Sequence, residues 1–104
     1  MSGNDKKPRP RVFGLRVDAV AGPGNVFAVG AKKELLLVAR ANSIEEAMEV
    51  AKQTLAHHNW PDATMQSWAE VKFFGEEIAD LKVREVVDYA AEHGSGILVY
   101  DIKN

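Results

Sequence analysis

The segment Ile97 to Ile102 is apolar on both of its alternating sides. Successive side chains of a strand point to opposite faces of its sheet. Ile97 and Val99 therefore fall on one face, and Leu98, Tyr100 and Ile102 on the other. A strand of this kind belongs in the middle of a sheet that is covered on both sides. A chain of only 104 residues must supply that cover or borrow it.

The cover comes from one domain, because a chain this short has no room for a second independent core. Hydrophobic residues make up 46% of the chain and charged residues 27%, which excludes a wholly disordered protein. There is no cysteine. A disulfide scaffold, a Cys-ligated zinc site, an iron–sulfur cluster and a cysteine nucleophile are thereby excluded. The longest apolar run, Leu35 to Ala39, falls far short of the roughly 20 residues of a membrane helix. The polar N-terminus is followed by no signal-like apolar stretch, so a cytoplasmic protein with no membrane partner is expected.

Residues 1–10, Met-Ser-Gly-Asn-Asp-Lys-Lys-Pro-Arg-Pro, read as a disordered basic tail, and 11–104 as a single domain. From Arg11 the pattern alternates, with Phe13, Leu15, Val17 and Ala19 on one face. Gly22-Pro23-Gly24 ends this strand, and Val26 to Val29 forms a possible flap. A second strand runs from Glu34 to Ala41. Ser43 followed by Glu46 is a capping box, opening a helix whose inner stripe is Ile44, Ala47, Met48, Ala51 and Leu55. Pro61 stops that helix. Met65 to Phe74 alternates again. Asp80 caps a second helix with Val83, Val87 and Ala90 on its inner stripe, and Gly94 suits its end. Arg84 and Asp88 are spaced for an i,i+4 pair. The expected architecture is α+β: a two-layer sandwich of order β-β-α-β-α-β. It has a four-stranded mixed sheet, because helical connections favour parallel crossovers, and both helices packed on one face.

Under that architecture one sheet face lies open, and it is apolar. Leu36, Val38, Trp68, Phe74 and Tyr100 are its candidate contact residues. Covering about 500 Å² on each of two partners gives roughly 25 kcal/mol gross at about 25 cal/mol per Å². Association costs about 4–15 kcal/mol, so a homodimer or a protein partner on this face is energetically accessible. The expected function is a non-enzymatic interaction module that self-associates. The alternative is nucleic-acid binding through the arm Lys6, Lys7, Arg9 and Arg11, with sheet aromatics as stacking platforms. The net charge of −2 is the sum of +3 on residues 1–12 and −5 on the body, so the sign of the whole chain does not decide between them.

Catalytic chemistry finds no constellation. His57 and His58 are adjacent, whereas a helical metal pair needs a spacing of three or four. His93 and Ser95 lack a third member and sit on a tight turn. Gly94-Ser95-Gly96 follows a helix C-terminus, while phosphate sites use an N-terminus. Glu76, Glu77 and Asp80 lack the patterned ligand run of a calcium loop. No catalytic residue, metal or cofactor is expected.

Overall fold

The computed structural model describes residues 10–101. The tail read over 1–10, with Lys6, Lys7 and Arg9, lies almost wholly outside the described residues. The elements are β1 (Val12–Val20), β2 (Lys32–Arg40), α1 (Ile44–His57), β3 (Asp62–Glu70), α2 (Leu81–His93) and β4 (Ser95–Asp101). Their order is the one the periodicity predicts. The sheet is not mixed. It is antiparallel throughout, in the order β3-β1-β2-β4. β2 and β3 do run the same way, as a helical crossover requires, but β1 lies between them. The α2 connection then carries the chain to the far edge, where β4 pairs antiparallel with β2.

The helices do not share a face. Paired residues of neighbouring strands point the same way, so the register sorts the core into two halves. Phe13, Leu15 and Val17 of β1, with Leu35 and Leu37 of β2, form one cluster with Ala47, Ala51 and Leu55 of α1. Val12 and Val38 form the other with Val86, Val87 and Ala90 of α2. The sheet is therefore sandwiched between α1 and α2 in three layers, correcting the two-layer expectation. The apolar second face of β2 called for cover, and α2 of the same chain provides it.

Local chemistry explains the helix bounds. The Ser43 hydroxyl accepts from the Glu46 N–H at 3.1 Å. The Asp80 carboxylate accepts from the N–H groups of Lys82 and Val83 at 2.9 and 3.1 Å. Gly94 ends α2 at φ 108°, a conformation that side chains resist. Arg84 does not meet Asp88. Its guanidinium turns back to donate to the Ile78 carbonyl at 2.8 and 3.1 Å. An Asp80→Ala chain should lose about 1 kcal/mol of stability, because two N-terminal amides lose their acceptor. Urea denaturation reads this as a lower midpoint at unchanged slope; an unmoved midpoint would mean that the cap contributes nothing.

β3 departs most from the sequence pattern. Arg16 faces Ser67 and Val17 faces Met65, which leaves Gln66 as an extra residue. This bulge breaks the alternation read from Met65 onward, so Met65 and Trp68 share the α1 side of the sheet. The strand also ends at Glu70, leaving Phe73 and Phe74 outside it. The loop after β1 is tied to the end of α1. Asn25 Nδ2 donates to the carbonyls of His58 and Asn59 at 3.1 and 3.0 Å, and Asn59 Nδ2 donates to the Gly24 carbonyl at 3.1 Å. Phe27 packs on Trp60 with ring centroids 6.0 Å apart, on the α1 side. Val26 points outward at 95% exposure, so this loop is no flap over the α2 face.

Candidate functional site

β4 lies at the rim of the sheet, and its hydrogen-bonding groups can be assigned in turn. The Ala41 N–H donates to the Arg11 carbonyl, and the Arg40 N–H donates to the Gly94 carbonyl. Hydrogen bonding alternates along an antiparallel strand. The odd-numbered residues of β2 therefore bond to β1, and the even-numbered ones to β4. Gly96, Leu98 and Tyr100, opposite Val38, Leu36 and Glu34, turn their backbone groups inward. Ser95, Ile97 and Val99 turn theirs away from the sheet.

A cleft of about 1050 Å³ runs along this edge. Thr54 and His57 of α1 wall it on one side, and Lys82, Glu85 and Tyr89 of α2 on the other. The Thr54 hydroxyl donates to the Val50 carbonyl at 2.8 Å, which uses its proton. The Ser95 hydroxyl, 3.0 Å away, must then be the donor to Thr54, fixing the start of β4 against α1. His57, His58 and His93 all line this cleft, although the sequence read them as separate. The His57 and His58 rings meet edge to face with centroids 5.1 Å apart, and His93 lies 4.4 Å from the Tyr89 ring. Among the described residues no three His, Cys, Asp or Glu side chains converge as metal ligands.

Of the five residues expected to form one open face, Leu36, Val38, Phe74 and Tyr100 do share the α2 side, but α2 covers that face, and Trp68 is not on it. Val38 is fully buried beneath α2, and Leu36 and Phe74 pack against the same cluster. Trp68 lies on the other face, 6.1 Å from the Phe13 ring and 48% exposed. Tyr100 alone stands at the rim on the α2 side. Burial pushes its hydroxyl above the ordinary tyrosine range, helped by the charges of Asp80 and Glu34. The face was assigned as open because both helices were expected on its opposite side.

Of the basic arm, only Arg11 falls within the described residues. Its guanidinium grips Glu70 at 3.0 and 3.2 Å, donates to the Asn42 carbonyl, and lies 5.3 Å from the Phe13 ring centroid. Hydrogen bonding to Glu70 raises the Arg11 pKa, and the same contact holds the Glu70 carboxyl below its usual range. The guanidinium is committed to folding the chain back on itself, which leaves it little to offer a phosphate. A smaller apolar groove of about 470 Å³ lies between β3 and α2, floored by Gly14 and Ala69.

Sequence reasoning missed the β4 edge as a site. Its signal was the two-sided apolar strand, which pointed to the middle of a sheet. No protein-family model, curated protein or solved structure matches this chain.

Proposed function

We propose that this protein is a non-enzymatic interaction module that self-associates. One observation carries the reading: a strand apolar on both faces lies at the rim of the sheet, with backbone donors and acceptors facing a long cleft. Such an edge is a template for another strand, and monomeric proteins blunt it with charge, proline or a bulge. Between Ser95 and Tyr100 there is no charged residue and no proline. The pairing with β2 runs without a register shift. Binding through main-chain groups and apolar side chains needs no cofactor and no catalytic group.

Light scattering after size exclusion tests this at two concentrations at least tenfold apart. The expected mass is twice that of the chain at the higher concentration, with dissociation on dilution if the affinity is modest. The monomer mass at both concentrations would overturn the reading.

A further inference from the structure

We infer that the occupant of the β4 edge is the β4 of a second copy, lying antiparallel to the first, so that two four-stranded sheets join into one of eight strands. The inference rests on the self-association proposed above and names its site and geometry. An antiparallel pair of identical strands is related by a twofold axis, so each outward donor finds the matching acceptor. An axis at Leu98 overlaps the whole of β4 with its mate and sets Ile97 opposite Val99 of the second copy. β4 then becomes one of two central strands with cover on both faces, the environment that its sequence demands.

Three further observations favour a second copy at β4. The opposite edge of the sheet, β3, is blunted by the bulge at Gln66 and by the charges of Asp62 and Glu70, whereas β4 is unguarded until Asp101. The cleft along β4 is walled by α1 on one side and α2 on the other, as a slot for one more strand requires. The helices also fit. α2 packs across β4 and β2. A helix centred over those two strands stands about 10 Å from its twofold mate, within the usual packing distance of helix pairs.

The charges on α2 are self-complementary about the same axis. A Cβ on Gly96 would lie 2.9 Å from Val86 and 3.4 Å from Tyr89, which puts Gly96 level with that stretch of α2. α2 runs antiparallel to β4. Two strand residues, about 7 Å, correspond to four or five helical residues. The axis at Leu98 is thus level with Val83, between Lys82 and Glu85. Both side chains line the cleft, and neither forms an ion pair among the described residues. In the dimer Lys82 of each copy meets Glu85 of the other.

The test uses the whole chain, which has no cysteine of its own. Residues on the axis form a non-hydrogen-bonded pair with Cα atoms about 4.5 Å apart, inside the range that a disulfide spans. Leu98→Cys should therefore oxidise to a covalent dimer, while Ser67→Cys on the more exposed β3 stays monomeric under the same conditions. Glu85→Lys and Lys82→Glu should each weaken dimerisation on the order of tenfold, and the double reversal should restore it. Leu98→Cys removes volume beneath α2, so the surface charge swap decides independently of it. A wild-type dimer that ignores both charge reversals, or cross-links through Ser67→Cys instead, would overturn this geometry and leave self-association standing. A wild-type monomer would overturn both.

Discussion

Replacing Phe13 by alanine should cost about 3–5 kcal/mol, the upper range for a core truncation. Domains of this size are stable by only about 5–15 kcal/mol, so the variant should unfold at a much lower urea midpoint or fail to accumulate as folded protein. The ring is 2% exposed and belongs to the cluster beneath α1. Trp68 packs on it from β3 and the Arg11 guanidinium lies over it, so its removal leaves a cavity under two groups that are themselves tied down. Arg11 is paired with Glu70, and Trp68 sits opposite Leu15 in the ladder with β1, so filling the cavity would disturb both contacts. Trp68→Ala should cost less than half as much, because about half of that side chain already meets water. Both variants should be measured at one protein concentration, since association makes stability depend on it. Equal losses at the two positions would mean that Phe13 is not an anchor of the core.

Phe13 also marks what could be read from the residues alone. Its place in the alternation Phe13, Leu15, Val17, Ala19 assigned it to a buried face, and the structure buries all four. Of the expected α1 stripe, Ala47, Ala51 and Leu55 are buried and Ile44 packs beside them, because helical spacing and burial are the same signal, whereas Met48 sits at the stripe's margin and is exposed. Asp80 as a cap and Gly94 as a stop were written in side-chain chemistry. Strand order was not legible. Periodicity gives the face of each residue but not the neighbour of each strand, and Ile97 to Ile102 pointed to a central strand where the chain makes an edge. The bulge at Gln66 escaped for a related reason. An extra residue in a strand of small and polar side chains leaves the local pattern plausible in either phase, and Trp68 was therefore placed on the wrong side. The bulge removed Trp68 from the expected contact face and α2 covered what was left of it, although the demand for apolar cover behind it was sound. That demand is met for Val38 by α2. For β4 it remains only half met within one copy, which is why the proposed dimer forms there.

The side on which α2 lies can be tested at a single strand position. Gly96→Ala should destabilise the protein by about 1–3 kcal/mol, whereas Gly14→Ala should be nearly neutral. Both glycines belong to strands, and alanine would otherwise be tolerated at either. The difference is steric. A Cβ at Gly96 would stand 2.9 Å from the Val86 Cγ2 and 3.4 Å from the Val86 carbonyl, so α2 must lift or Val86 must rotate. A Cβ at Gly14 meets Leu36 at 3.6 Å and Val71 at 3.9 Å, which is ordinary contact. Val86 is one of the buried residues that seat α2 on β4 and β2, so lifting the helix exposes the cluster that holds it. The cost should therefore fall by about 1 kcal/mol or more in a Val86→Ala background, because the opposing methyl is gone, and a double-mutant cycle measures that coupling. With both helices on the α1 side, Gly96 would face open space, the two glycine substitutions would behave alike, and the cycle would show no coupling. A cost at Gly96 that Val86→Ala relieves requires α2 to lie directly over β4. That places Lys82 and Glu85 along the edge where a second copy would meet them.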